Sequence, residues 1–97
     1  MQFSDDIIKK AWRRAEFRCE CTRKGHDHVG RCTQRLLESY RGEEDTPNGW
    51  EAHSKNGSYT NLSDCEIICW NCQWHIYMLK IYNNYPQSLY EIRNKVV

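Results

Sequence analysis

The segment from Cys65 to Cys72, CEIICWNC, decides the fold that this sequence predicts. It opens with a short apolar run of the kind that forms a buried strand. Cys69 and Cys72 then form a Cys-x2-Cys pair at the point where a helical pattern begins. Two thiolates at this spacing can bind one tetrahedral zinc ion while nearby backbone amides stabilise the sulfurs. The pair supplies half of a zinc site, so the other half has to come from another part of the chain.

The other zinc ligands have to come from the Cys- and His-rich segment 19–32, CECTRKGHDHVGRC. Gly25 and Gly30 disfavour a helix there, and the density of ligand residues predicts a loop organised by metal. Its candidate ligands are Cys19, Cys21, His26, His28 and Cys32. The sixth cysteine, Cys65, occupies an apolar position of the strand, and we interpret it as a small core residue.

Length and composition predict one domain that spans residues 1–97. A chain of 97 residues has a thin core, so a bound metal would add stability that packing alone supplies poorly. The sequence has no apolar run of the ~18 residues that cross a bilayer, and no segment typical of a signal peptide. We therefore expect a cytoplasmic protein that contacts no membrane. In a reducing cytosol, six cysteines favour metal ligation over disulfides.

The other elements follow an α+β order of helix, metal loop, β-hairpin and further helices. Ser4 to Glu16 is predicted to be an amphipathic helix with Ser4 as its N-cap. Trp50 to His53 is expected to be a short strand, and Asn56-Gly57 predicts the turn of the hairpin. Residues 41–49, RGEEDTPNG, are rich in turn formers and are predicted to form a mobile loop.

The C-terminal part of the chain is predicted to be helical. A helical pattern begins at Asn71 and is broken by Pro86. Residues 86–97 are expected to be a helical extension in which Ser88 caps a last helix through about Lys95. The apolar face of the first of these helices is predicted to consist of Trp74, Tyr77, Met78 and Ile81.

The formal net charge of +1 hides an asymmetry between the two parts of the chain. Residues 1–42 carry ten Lys/Arg against six Asp/Glu, whereas residues 43–97 carry four against seven. A basic half suits contact with phosphate or with an acidic protein surface. The alternative is that these side chains only solvate the surface. The candidate nucleic-acid-binding residues lie on the outer side of the first helix: Lys9, Lys10, Arg13 and Arg14.

The order of these motifs resembles the HNH endonuclease family, which has the ββα-metal fold. The resemblance rests on a helix followed by RCEC (18–21), GRC (30–32), WEAH (50–53) and SDCEIICWNC (63–72), and it covers roughly residues 8–75. It implies a small zinc-stapled HNH-like domain with an N-terminal helix, a β-hairpin, C-terminal helices and structural Zn2+ as cofactor. The zinc ligands that it implies are Cys19, Cys32, Cys69 and Cys72, with Cys21 as the first alternate and His26 or His28 after it.

An active site of that family needs a metal ligand on the first strand, a histidine base, an orienting asparagine and a last histidine. In this sequence His53 falls on the ligand position and Ser54 on the base position. Asp64 falls on the orienting position, and Gln73 falls on the last histidine. A serine hydroxyl has no proton affinity near neutral pH, so it cannot replace imidazole as a base. The resemblance therefore implies a degenerate site, and catalysis is not expected.

Three function hypotheses follow, and they differ in whether the chain cleaves nucleic acid. The favoured one is a degenerate HNH-like zinc protein that binds DNA or a protein partner and takes no small-molecule substrate. Its size and degeneracy suit a phage or mobile-element inhibitor of a host system such as CRISPR-Cas, in a bacterial or phage-infected cell. The second is an active, divergent HNH endonuclease or nickase that uses His53, Asp64 and either His75 or Glu51, with a second divalent cation near His53. The third is a zinc-ribbon module that binds nucleic acid through the basic helix.

Overall fold

A computed structural model describes residues 2–23, 26 and 28–83 of the chain, with side chains as far as Met78. Within these residues the protein is a small α+β structure with two helices and one two-stranded antiparallel sheet. The predicted α+β class is therefore confirmed, and its likeness to the HNH fold stays a prediction. The predicted helix from Ser88 and the 86–97 extension lie outside the described residues. None of the helices in the described part is long and apolar enough to cross a membrane.

Helix α1, Asp5–Ala15, begins and ends close to its predicted bounds. Ser4 is the N-cap, and its side chain accepts a hydrogen bond from the Ile7 amide at 3.3 Å. This bond satisfies one of the amides that the start of a helix leaves unpaired. Glu16 ends the helix in the left-handed conformation, with a φ of 55°. The residues of α1 that are buried in the core are Ile8, Ala11, Trp12 and Ala15.

The hairpin consists of strands β1, Trp50–Ser54, and β2, Cys65–Cys69, which pair antiparallel. The sequence predicts a tight turn at Asn56-Gly57, and this prediction is wrong. The connection occupies residues 55–64 and includes a 3₁₀ turn at Leu62–Asp64. Gly57 has the φ of 88° that favours glycine, but it bends the loop and does not join the strands. All of β2 is buried, so β2 is the central element of the fold.

Residues 19–21 of the metal loop (residues 19–32) lie against β2 as a further extended segment. The Glu20 amide donates to the Ile67 carbonyl at 2.8 Å, and the Glu20 carboxylate accepts from the Ile67 amide at 2.9 Å. The Cys32 amide donates to the Cys21 carbonyl at 2.7 Å, so the loop folds back on itself. Both ends of the loop are thereby brought beside the strand that leads into the Cys-x2-Cys pair.

Helix α2, Trp70–Asn83, begins directly after β2. The sequence places Trp74 and Tyr77 on its apolar, core-facing side, and this prediction is wrong because these residues are 47% and 55% exposed. Cys72 and Ile76 are buried instead. Cys72 and Ile76 are one helical turn apart, so the side of α2 that carries the Cys72 sulfur is the side that faces the core.

The core lies between α1 and the sheet. Trp12 of α1 stacks on Trp50 of β1 with ring centroids 4.6 Å apart, and Leu36 is buried in the same cluster. Residues 41–49 are built from turns and bends, and the Gly42 amide donates to the Trp50 carbonyl at 2.8 Å. The predicted mobility of this loop stays a prediction.

Candidate metal centre

The cysteines that the family resemblance implies as zinc ligands lie together. Their sulfurs are all within 4.8 Å of one another, and we call them the four-cysteine group: Cys19, Cys32, Cys69 and Cys72. A zinc ion with Zn–S bonds of about 2.3 Å holds tetrahedral sulfurs roughly 3.8 Å apart, so the group has the size that zinc requires. Each residue is at most 9% exposed, which keeps water from the sulfurs. The group can hold a metal such as zinc with every position filled by protein.

The pKa values of these thiols reflect the close approach of their sulfurs. Hydrogen bonds with Cys19 and Cys72 lower the pKa of Cys69, so Cys69 is the favoured thiolate. Hydrogen bonding to Cys69 raises the pKa of Cys19, and hydrogen bonding to Cys19 and Cys69 raises the pKa of Cys72. Sulfurs in contact thus share one negative charge and resist a second. A divalent cation removes this limit, since it binds every sulfur as thiolate.

A second group of ligand atoms adjoins the first. Its ligand atoms are also within 4.8 Å of one another, and we call it the Cys/His group: Cys21, His26, His28 and Cys72. The sequence treats Cys21, His26 and His28 as alternates for one position of a single zinc site. The structure brings these three residues together in a group of their own, and Cys72 belongs to both groups. Nothing in the sequence pattern indicates this sharing.

Cys65 belongs to neither metal-binding group among the described residues. It is fully buried, as expected of a small core residue. Burial raises the pKa of its thiol to about 11, so Cys65 stays protonated and unreactive near neutral pH. It therefore offers a matched control for substitutions of the other cysteines.

His53, at the family's metal-ligand position, is held by a buried carboxylate. Its Nδ1 donates to Glu66 Oε1 at 2.9 Å, and Arg23 Nη2 donates to the same oxygen at 2.6 Å. Burial acts to raise the pKa of Glu66, but the hydrogen bonds from His53 and Arg23 outweigh it, and the pKa is lowered. Arg23 Nη1 also lies 3.7 Å from the Cys21 sulfur, which joins this network to the Cys/His group. Sequence reasoning missed Glu66, although an acid inside the apolar run CEIIC was a signal for it.

Ser54 and Asp64, at the base and orienting positions, hold the loop between the strands. The Ser54 hydroxyl donates to the Ser58 carbonyl at 2.6 Å and accepts from the Gly57 amide at 2.9 Å. The Asp64 carboxylate accepts from Asn56 Nδ2 at 3.0 Å. Both side chains therefore fix the shape of the loop.

Gln73, at the last-histidine position, borders a different surface from His53. Gln73 lines a cavity of about 350 Å³ with Glu44, Trp70 and two exposed aromatic residues of α2. His53 lines a cavity of about 260 Å³ with Ser54 and residues of the N-terminal segment. Glu51 borders the His53 cavity and also a small one beside Gln73.

The residues considered as catalytic replacements have other contacts. The ring of His75 stacks on that of His26, with centroids 4.0 Å apart, so His75 lies beside the Cys/His group. The Glu51 carboxylate accepts from Arg41 Nε at 2.7 Å. Within the described part of the chain, neither residue joins His53 in a group of three or more metal-ligating side chains.

Arg14, predicted to bind nucleic acid, joins three elements of the fold. Its Nε and Nη2 donate to the two Glu20 carboxylate oxygens at 2.8 and 2.7 Å. Its guanidinium also donates to the carbonyls of Leu62 and Cys65. The hydrogen bond to Glu20 raises the pKa of Arg14 further above its usual value. Arg14 thus ties α1 to the metal loop and to the start of β2.

The other basic residues of α1 are on the surface. Lys9 and Arg13 are exposed, and Lys10 lies 3.1 Å from Asp6 one turn earlier in the helix. Their contact with nucleic acid stays a prediction. No family model, curated protein or solved structure matches the chain, so the function has to be inferred from this geometry.

Proposed function

We propose that this chain is an HNH-like zinc domain without nuclease activity that works by binding a partner. The observation that carries the proposal is that Ser54 and Asp64, at the base-equivalent and orienting-equivalent positions, are engaged in holding the fold. The Ser54 hydroxyl donates its proton to the Ser58 carbonyl, and the Asp64 carboxylate accepts from Asn56 Nδ2 within the loop between the strands. Metal-assisted hydrolysis needs a base that is free to take a proton from water.

Zinc is the proposed cofactor, and its role is structural. Four thiolates fill a tetrahedral shell and leave no position for water or substrate. The sulfurs of the four-cysteine group belong to the metal loop, the end of β2 and the first turn of α2. An ion held there cross-links elements that are far apart in the sequence. In so small a core, metal binding is expected to supply much of the folding free energy.

The chemistry at the degenerate positions supports the loss of cleavage. The Ser54 hydroxyl cannot take a proton from water near neutral pH, and its proton is already donated to the Ser58 carbonyl. Gln73 offers an amide where the family has imidazole, and an amide binds first-row metals more weakly. Gln73 also shares its cavity with Glu44, whose negative charge repels phosphate.

The exposed surface supports a protein partner more than DNA. Trp74 and Tyr77 are exposed and line the same cavity as Glu44. Aromatic residues are enriched in protein interfaces, and a nearby carboxylate suits a basic group on the partner. Binding to DNA depends on free Lys and Arg, and Arg14 is already engaged by Glu20.

A plasmid-nicking assay tests the loss of cleavage. With Mg2+, Mn2+ or Ni2+, we expect the natural protein to leave supercoiled plasmid intact. The variant Ser54→His, Asp64→Asn, Gln73→His restores the family's residues and is expected to nick, and adding His53→Ala to it should remove that activity. Nicking by the natural protein that His53→Ala abolishes would overturn the proposal.

A salt titration distinguishes the classes of partner. We expect duplex DNA to bind weakly or not at all at physiological salt. Binding that weakens steeply with salt, and that is lost in Lys9→Ala, Lys10→Ala, Arg13→Ala, would instead support the zinc-ribbon hypothesis. The role as an inhibitor from a phage or mobile element stays a prediction from size and degeneracy.

A second candidate, an active divergent nuclease, is favoured by the geometry of His53. A histidine that donates its Nδ1 proton to a carboxylate can present Nε2 as a base or metal ligand, and His53 borders a cavity. This candidate requires Mn2+ to broaden the His53 ring resonances in an NMR titration. It also requires nicking that Glu66→Gln reduces. Unchanged resonances together with intact plasmid would exclude it.

A further inference from the structure

We infer that the chain binds a second zinc ion through the Cys/His group, with the Cys72 thiolate bridging the two ions. The site goes beyond the structural zinc proposed above and shares only Cys72 with it. The distances carry the inference. His26 Nε2 lies 3.4 Å from the Cys72 sulfur and 3.9 Å from the Cys21 sulfur, and His28 Nε2 lies 3.6 Å from the Cys72 sulfur. A tetrahedral zinc ion, with bonds of about 2.3 Å to sulfur and 2.0 Å to nitrogen, holds these ligand types about 3.5 Å apart.

The protonation of His28 fits a metal ligand. Its Nδ1 lies 2.9 Å from the Gly30 carbonyl oxygen, which can only accept, so Nδ1 carries the proton. Nε2 is then the ring nitrogen left to bind a metal, and it lies 3.6 Å from the Cys72 sulfur. Metal-binding histidines are commonly oriented by a backbone carbonyl in this way.

Hydrogen bonds between thiol and imidazole explain the short distances within the Cys/His group less well than a bound metal ion does. A Cys72 thiol has a single proton, yet the Nε2 atoms of His26 and His28 are both within 3.6 Å of its sulfur. A cation between the sulfur and the two nitrogens satisfies all three at once.

The backbone explains why Cys72 serves both groups. Residues 19–21 are an extended segment held by the amides of Glu20 and Cys32. Alternate side chains of an extended segment point to the same side, so Cys19 and Cys21 both face the start of α2. The Cys72 sulfur lies within 4.8 Å of the sulfurs of both residues. Cys19 shares the four-cysteine group with Cys72, and Cys21 shares the Cys/His group with it. A thiolate has more than one lone pair and can bind two cations.

Charge also favours the second ion. One dication among four thiolates leaves a net charge of about −2 in a buried site, and buried charge is costly. A second dication that recruits the Cys21 thiolate reduces this to about −1. The Arg23 guanidinium, with Nη1 3.7 Å from the Cys21 sulfur, opposes the remaining charge.

The two ions should differ in exchange rate. His26 and His28 are half-buried, whereas the residues of the four-cysteine group are at most 9% exposed. A chelator therefore reaches the Cys/His group first. Loss of that ion would free Cys21, His26 and His28 from Cys72, while the four-cysteine group still holds Cys19 and Cys32 beside α2.

Counting zinc tests the second site. We expect mass spectrometry of the full chain, purified with zinc and desalted, to give two zinc ions per chain. Cys21→Ser and His28→Ala should each give one, and the control Cys65→Ala should keep two. One ion in the natural protein overturns the second site and leaves the structural zinc standing, whereas none overturns both. Two ions retained in both Cys21→Ser and His28→Ala also overturn the second site.

X-ray absorption on the natural protein tests the bridge without any variant. Two ions that share one sulfur are at most about 4.6 Å apart, which is twice the Zn–S bond length. We expect a zinc–zinc distance below this limit in the two-zinc protein. The zinc–zinc contribution to the X-ray absorption spectrum should vanish after a weak chelator removes one ion. Two bound ions without such a distance would overturn the bridging role of Cys72.

Discussion

The four-cysteine group and the network of His53, Glu66 and Arg23 both adjoin β2, but their polar side chains are arranged in opposite ways. In the cysteine group like atoms converge, and their contact raises the pKa of Cys72. In the network unlike groups meet, with the Glu66 carboxylate Oε1 2.6 Å from the Arg23 guanidinium and 2.9 Å from His53 Nδ1. A cluster of converging sulfurs is stable with a cation between them, whereas the network is complete without one.

The difference shows how similar residue types come to serve different purposes. Histidine, cysteine and carboxylate side chains are all metal ligands, so composition does not distinguish the two regions. Pairing does distinguish them, because a ligand atom that already has a partner of opposite charge is less available to a metal. The predictions below test this distinction, from the largest expected effect to the smallest.

Loss of metal from the four-cysteine group should have the largest effect. Structural zinc supplies roughly 10–16 kcal/mol in small zinc domains, which equals or exceeds the total stability of most domains. We expect Cys69→Ser, or treatment with a strong chelator, to abolish cooperative unfolding in thermal melts followed by circular dichroism. Cys65→Ala, a buried cysteine outside both groups, should melt cooperatively. A full helical signal in metal-free protein would contradict the prediction.

Breaking the network should cost less than losing the metal. Glu66→Gln removes the charge between Arg23 and His53, and its side chain is only 6% exposed. Disrupting a buried ion pair costs about 3 kcal/mol, so we expect a loss near that value in urea unfolding. The control is Glu51→Gln, whose partly exposed pair with Arg41 should be worth about 1 kcal/mol or less. Equal costs for the two substitutions would remove the contrast between buried and surface pairs.

Substitution of the serine at the base position should have a smaller effect. Ser54→Ala leaves the Gly57 amide and the Ser58 carbonyl without their side-chain partner, and Ser54 is 8% exposed. We expect a loss of about 1–2 kcal/mol in unfolding free energy, with zinc content unchanged. Ser63→Ala, at an exposed position in the same loop, should cost less than about 0.5 kcal/mol. A Ser54→Ala protein with the same unfolding free energy as the natural protein would argue against a structural role for this hydroxyl.

The pH dependence of the network should be the smallest effect. Because the pKa of Glu66 is lowered from 4.5 in the folded chain, its charge stabilises the fold above that value. This contribution is lost as pH falls through the lower folded pKa. The difference in unfolding free energy between the natural protein and Glu66→Gln should therefore shrink below about pH 4.5. Both proteins lose zinc in acid, so comparing them cancels that shared effect. A difference in unfolding free energy that widens on acidification would contradict the prediction.

Within the described residues, the sequence predicted most of the helices and strands correctly. The Ser4 cap, the alternation of apolar and basic residues on α1 and the apolar run of β2 are local patterns, and each one forms the predicted element. The Cys-x2-Cys pair at the junction of β2 and α2 likewise lies at the predicted place. Such patterns are reliable because helix and strand periods depend on neighbours within a few residues.

The predictions that failed depended on distant contacts. The hairpin does not turn at Asn56-Gly57, because Ser54 and Asp64 hold a longer loop open between the strands. The exposed side of α2 carries Trp74 and Tyr77, because the side that packs on the rest of the fold is the one with Cys72 and Ile76. Hydropathy alone counts such aromatic residues as core.

By itself, then, the sequence determined which residues can bind metal and where the helices and strands lie. Only the tertiary structure decided which ligands meet: Cys21, His26 and His28 join Cys72 in a separate group. The physical reason is that residues 19–21 pair with Ile67 and face the start of α2, a contact between segments far apart in the chain. No local period encodes that contact. It emerges only when the metal loop folds back against β2.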